Sequence, residues 1–153
     1  MADKADVVLI GVPKNLIVDG LKDVFTLHIA EHSTKAEPLL ASVGSRIRGA
    51  AITGAPEGRM NGAMMALCPK LEFVSSFGVG YDNIDVKYSV EHGIVVCNTP
   101  EVLNEEVADT ALGLLLATVR ELPQAERYLR AGNWPKHGDY RLTPCFGQLP
   151  ARR

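Results

Sequence analysis

Cysteine is scarce: only Cys68, Cys97 and Cys145 occur among 153 residues, an odd number at wide spacing with no Cys-x-x-Cys pair. Such a set supports neither a disulfide framework nor a zinc site, and the thiols are expected to be reduced. Aromatic residues are few, 6% with a single tryptophan, and the net charge is only −2. A basic surface interleaved with stacking rings is therefore missing, and no nucleic-acid partner is expected. Long apolar runs are absent too. The longest, Ala111 to Val119, is about half of the roughly 18–20 residues that span a bilayer, so no membrane partner is expected. The first six residues are mixed in charge and lead straight into Val7–Ile10. They lack the basic and long apolar regions of a signal peptide, and a cytoplasmic location is expected. Neither a Gly-x-Ser-x-Gly elbow nor a phosphate-binding loop occurs, which leaves a serine hydrolase or nucleotidase without support.

What is present is an ordinary globular composition, 46% apolar and 22% charged, enough for one compact domain and against disorder. Charge is uneven. Residues 1–119 carry 9 Lys/Arg against 15 Asp/Glu, while residues 120–153 carry 7 against 3. The basic end reads as a solvated helix surface and tail.

To about residue 100, short β-branched runs alternate with helix-like stretches, the rhythm of a parallel α/β sheet. Strands are expected at Asp6–Val12, Phe25–Ala30, Ala50–Thr53, Leu71–Ser75 and Ile94–Cys97. The first is almost continuously apolar, as suits a strand covered on both faces. Between them, Asn15 is expected to cap a helix over Leu16–Val24, with Leu16, Ile17, Leu21 and Val24 as its buried stripe. A helix over Glu37–Val43 is expected to stop at a left-handed Gly44, a third to cover Met60–Leu67, and a fourth Asp85–Glu91 with Asp85 as its cap. After Pro100 the rhythm changes. A helix capped by Asn104 is expected to run to about Glu121, apolar all round from Ala111 to Ala117, and such a helix needs cover on every side. Pro123 opens another, ended by Gly132-Asn133-Trp134-Pro135.

Gly78-Val79-Gly80 follows a strand and invites a dinucleotide reading. The third glycine and the acidic residue about 20 positions on are missing: Asn83 and Asn98-Thr99-Pro100 stand there, so no pyrophosphate site is expected. Two readings stay open at this point: backbone N–H groups aimed at an anion as small as a carboxylate, or a tight turn that needs glycine for positive φ. His28-Ile29-Ala30-Glu31-His32 matches the inverted zinc-protease pattern, but Phe25–Ile29 alternates like a strand, and no metal site is expected. His92 and His137 read as surface residues, and no catalytic residue is assigned. Acidic positions for a phosphoreceiver are absent, Pro13-Lys14 and Thr53-Gly54 occupying those places.

The run Leu71-Glu72-Phe73-Val74-Ser75-Ser76-Phe77-Gly78-Val79-Gly80-Tyr81-Asp82-Asn83-Ile84-Asp85 is followed by His92-Gly93-Ile94-Val95-Val96-Cys97-Asn98-Thr99-Pro100, Val107-Ala108-Asp109, Arg120-Glu121-Leu122-Pro123 and Gly132-Asn133-Trp134. Together they resemble the D-2-hydroxyacid dehydrogenases, nearest to the glyoxylate/hydroxypyruvate and hydroxyphenylpyruvate reductases. The resemblance implies a flavodoxin-like five-stranded parallel sheet with flanking helices over residues 1–100. It further implies crossover helices over 101–132 that pack on a Rossmann domain, and a tail from 133 to 153. It implies reduction of a small 2-oxo acid to a 2-hydroxy acid with NAD or NADP, the carboxylate held by the backbone of Val79 and Gly80 in the Gly78 loop, with Thr53 and Gly54 lining the pocket. The family's cofactor fingerprint and its arginine, glutamate and histidine belong to the Rossmann domain and have no counterpart here. The chain is thus expected to be truncated by a frameshift or premature stop, to bind no cofactor tightly and to be inactive alone. The alternative expectation is a non-catalytic fragment that binds a small acid or forms a homodimer through helix 104–121.

Overall fold

The computed structural model describes residues 4–54 and 57–142. It divides into two compact units, Met1–Val102 and Leu103–Arg153.

The first unit holds five strands, β1 Asp6–Gly11, β2 Thr26–Ala30, β3 Ile47–Thr53, β4 Phe73–Phe77 and β5 Val95–Cys97. They are all parallel, in the order β2-β1-β3-β4-β5. This is the doubly wound, flavodoxin-like arrangement expected from the sequence. Its helices are α1 Asn15–Lys22, α2 Ser33–Val43, α3 Gly62–Ala66 and α4 Val86–Glu91.

Strand alternation explains the packing. Register aligns Val8 with Ala50, Val74 and Val96, and Ile10 with Ile52, so these side chains share one face. On that face they form the core with Ala36 and Leu40 of α2 and Met64 and Met65 of α3. The opposite face carries the row Val7, Gly49, Phe73, Val95. Val7 and Leu9 are buried there, but Phe73 is 39%, Phe77 48% and Val95 58% exposed. An open apolar cavity of about 390 Å³ lies between that face and α1, lined in part by Ile17, Leu21, Phe25 and Phe73. Cover on both faces therefore holds for β1 and fails for β4 and β5.

Local differences from expectation have identifiable causes. Helix α1 ends at Lys22, so Val24 lies beyond it, and with Leu16 78% exposed the stripe expected for this helix narrows to half-buried Ile17 and Leu21. Asn15 is the first helical residue and the position before it, Lys14, makes no side-chain cap. Helix α2 starts four residues earlier than expected because a ring nitrogen of His32 accepts the Thr34 N–H at 3.1 Å, satisfying one of the orphan donors of a first turn. Gly44 has φ −56° and opens a 3-10 turn. A Cβ there would meet the Leu67 carbonyl oxygen at 2.2 Å, so close approach of two backbones, not a left-handed turn, requires glycine. Asp85 caps α4 as expected, accepting from the Tyr88 N–H at 3.0 Å.

In the second unit, α5 covers Asn104–Val119, α6 Leu122–Arg130 and α7 Trp134–His137. No side-chain bond from Leu103 or a neighbour caps α5, and none of its residues is buried. Between α5 and α6, Glu121 takes a left-handed φ of 49° and is buried. Its carboxylate accepts the Tyr140 hydroxyl, a bond that raises the Tyr140 pKa. The short α7 was hidden in the sequence by Pro135, which here occupies the first turn, where the missing N–H costs nothing. No described helix is long and apolar enough to cross a membrane.

Candidate functional site: a glycine loop at the sheet edge

The C-terminal ends of β1, β3 and β4 converge, as ligand-binding edges of such sheets do. Thr53 ends β3 fully buried, and its hydroxyl donates to the Val12 carbonyl at 2.7 Å. Its side chain thus ties β3 to the loop after β1. Gly54, with φ +66°, turns the chain away from the sheet. Beside it, after β4, lies the loop Gly78-Val79-Gly80. Gly54, Gly78 and Gly80 line one concavity of about 220 Å³ together with Ser76, Phe77, Asp82 and Asn83. Val79 stands in the same loop, 39% exposed.

Neither Gly78 nor Gly80 is among the positive-φ residues. A Cβ on either would meet nothing closer than 3.9 Å. The tight-turn explanation for these glycines therefore fails, for neither backbone strain nor internal crowding demands them. What they provide is room over the peptide groups. Among the described residues, no hydrogen bond uses the N–H of Val79, Gly80 or Tyr81 as donor. Three consecutive donors are thus available in the loop beside a small concavity, an arrangement suited to a carboxylate.

The concavity contains no Lys or Arg. A carboxylate there would rest on neutral N–H groups alone, with Asp82 opposing it, and its affinity as a free ligand would be about millimolar.

The residues fit a dinucleotide poorly. After Gly80 the chain makes a turn and an isolated bridge from Ile84 to Met60 before α4 begins at Val86. The Asn83 side chain donates to the Gly58 carbonyl at 2.8 Å. No helix N-terminus follows the glycines directly, as a pyrophosphate requires.

The histidines singled out by pattern are placed elsewhere. His28 lies on β2, its Nε2 2.6 Å from Asp6, and His32 caps α2. His92 stacks on Tyr88 at 3.8 Å, and His137 ends α7. Among the described residues no group of three or more metal-binding side chains is assembled. Cys68 is buried, which pushes its thiol up to about 11, and Cys97 is exposed. Cys145 lies outside the described residues. Sequence reasoning missed Ser76, Asp82 and Asn83 as lining residues, because only the fold of β4 and its loop brings them to one concavity.

Comparison with known proteins decides the family. Residues 10–140 match the model for the D-isomer specific 2-hydroxyacid dehydrogenase, catalytic domain. The chain belongs to the D-isomer-specific 2-hydroxyacid dehydrogenases. Among relatives in this family, a glyoxylate/hydroxypyruvate reductase A of Arabidopsis thaliana is 46% identical over 96 residues, 63% of this chain and 30% of the relative. A hydroxyphenylpyruvate reductase of Plectranthus scutellarioides is 43% identical over 112 residues, 73% of this chain and 32% of the relative. In three dimensions the dehydrogenase fold superposes on an NADPH-dependent glyoxylate/hydroxypyruvate reductase of Sinorhizobium meliloti solved with citrate. There the TM-score is 0.78 at 38% identity, covering 99% of this chain and 45% of the other. The same enzyme solved with NADP and malonate gives 0.74 at 39% identity over 93% and 43%. The chain thus spans about a third of the curated relatives it matches and under half of the solved ones.

Proposed function

We propose that this chain is the substrate-binding part of a 2-hydroxyacid dehydrogenase acting on a small 2-oxo acid such as glyoxylate, hydroxypyruvate or hydroxyphenylpyruvate, and that it holds the carboxylate on the N–H groups of Val79 and Gly80. One observation carries the reading: these amides have no acceptor among the described residues, and Gly80 lines a glycine-cleared concavity beside Val79. Gly54 forms the neighbouring wall, and Thr53 fixes that wall through Val12. In the family reaction the nicotinamide of NAD or NADP supplies the hydride. This chain's own contribution is to orient the acid, so that its 2-oxo carbon is presented at a fixed distance from the loop. Residues 1–100 would form the substrate domain, and helices within 101–132 would join it to a nucleotide-binding domain. The cytoplasm is the compartment proposed. The test is an amide-resolved NMR titration of the full chain with glyoxylate, in which Val79 and Gly80 are expected to shift saturably.

A second reading rests on α5. Leu112, Leu115, Leu116 and Val119, at helical spacing i, i+3, i+4 and i+7, are 44–58% exposed, and Leu103, Val107 and Leu114 line a separate open groove. Two apolar faces on one helix favour association, and we infer a homodimer through α5. Sedimentation velocity is expected to show dimers at micromolar concentration and monomers for the double substitution Leu112→Glu, Leu116→Glu. A parent chain that sediments as a clean monomer contradicts this.

A further inference from the structure

We infer that Asn98 is a positioning residue for the carboxylate site, aiming the Gly80 N–H, with Ser76 doing the same for the Tyr81 N–H as a third donor. The inference rests on the carboxylate reading above and extends it to side chains that need not touch the substrate.

A trans peptide is planar, so its N–H points opposite to its C=O, and fixing one fixes the other. Three consecutive carbonyls of the loop are each tied down. The Gly78 carbonyl accepts the Thr99 backbone N–H at 3.0 Å. The Val79 carbonyl accepts the Asn98 side-chain amide at 2.8 Å. The Gly80 carbonyl accepts the Ser76 hydroxyl at 3.2 Å. Each bond sets the N–H of the following residue, so Thr99, Asn98 and Ser76 orient the donors of Val79, Gly80 and Tyr81 in turn.

Glycines flanking Val79 make this restraint necessary, since a loop without side chains to pack has many accessible backbone states. Thr99 acts through its backbone N–H, which any substitution but proline retains. Asn98 acts through a side chain that sits 19 residues away in sequence. Holding donors in place before the ligand arrives removes reorganisation at the moment of binding.

The experiment uses the full 153-residue chain, labelled with nitrogen-15 and titrated with glyoxylate, as parent, Asn98→Ala, Ser76→Ala and Asp85→Ala. Asn98→Ala is expected to weaken glyoxylate binding about tenfold and Ser76→Ala several-fold. In Asn98→Ala the Gly80 amide resonance should move even before ligand is added. Asp85→Ala removes the α4 cap, and is expected to lower the melting temperature while leaving affinity unchanged. That control separates positioning from general loosening. If the parent binds and Asn98→Ala binds equally well, the positioning role alone is overturned. If affinity tracks melting temperature across all three variants, it is overturned as well. If the parent shows no response at Val79 or Gly80, the carboxylate reading falls and the positioning role falls with it.

Discussion

The isolated chain, mixed with NADPH and glyoxylate, is expected to oxidise the cofactor no faster than buffer. The same chain joined in front of the remainder of the Sinorhizobium meliloti reductase is expected to turn over at about 1 s⁻¹ or more, the range of ordinary enzymes. The reason lies in how the work of the reaction is divided. On the function proposed above, binding and orienting the acid falls to the loop of Gly78, Val79 and Gly80. Hydride transfer requires a dinucleotide held across from it. Gly78-Val79-Gly80 does not open directly into a helix, α4 beginning only at Val86, and the turn after Gly80 is committed through Asn83 to Gly58. An acid–base group alone contributes roughly 10²–10⁴-fold, and no histidine lines the concavity, His28, His32 and His92 being engaged with Asp6, Thr34 and Tyr88. The two arms thus differ by more than a thousandfold on this account. Turnover by the isolated chain, or a folded but inactive fusion, contradicts it.

Replacing Gly11 by alanine is expected to cost about 3 kcal/mol or more of stability, since a Cβ there meets the closest contact of any described glycine. Gly11 ends β1 with φ +112°, a region that side chains rarely adopt. A Cβ there would sit 1.8 Å from the Thr53 carbonyl oxygen and 3.0 Å from Cα of Gly58. These are backbone atoms. Thr53 cannot retreat, because it is fully buried and bonded to Val12. Gly58 is equally confined, with a Cβ there 2.4 Å from the same Thr53 oxygen. The useful comparison is Gly93→Ala, where φ is +68° but nothing lies within 4 Å. Only the backbone penalty of about 1–2 kcal/mol applies there. Urea unfolding of both variants separates the terms, and equal losses would show that the convergence at the sheet edge is not tightly packed.

Much of the fold was legible because it is local. The unbroken apolar run Val7–Ile10, stopped by Pro13, reads as a strand covered on both faces, and Asp85 at the start of a helical stretch reads as its cap. What was not legible depends on partners far away in sequence. Leu16 and Val24 fit a helical stripe, yet α1 stops at Lys22 and leaves Leu16 exposed, and no periodicity reveals that. Gly44 looks like a helix stop until the Leu67 carbonyl is found beside it. The site shows the same division. Two glycines after a strand mark the loop, but whether they serve φ or leave room depends on atoms around them. Asn98 reads as one residue of a crossing segment until folding brings its amide to the Val79 carbonyl.

Charge supplies the sharpest control for the central claim. An anion drawn by net charge alone would collect on the basic α6 surface, at Arg127 and Arg130, whereas one held by geometry would go to a concavity with no cationic side chain. Titration of the nitrogen-15-labelled chain with glyoxylate, read residue by residue, distinguishes the two. The account predicts saturable shifts centred on Val79, Gly80 and Tyr81, with a dissociation constant of about 1 mM and little dependence on added salt. Shifts centred on Arg127 and Arg130 that vanish in salt, with Val79 and Gly80 unmoved, would contradict it.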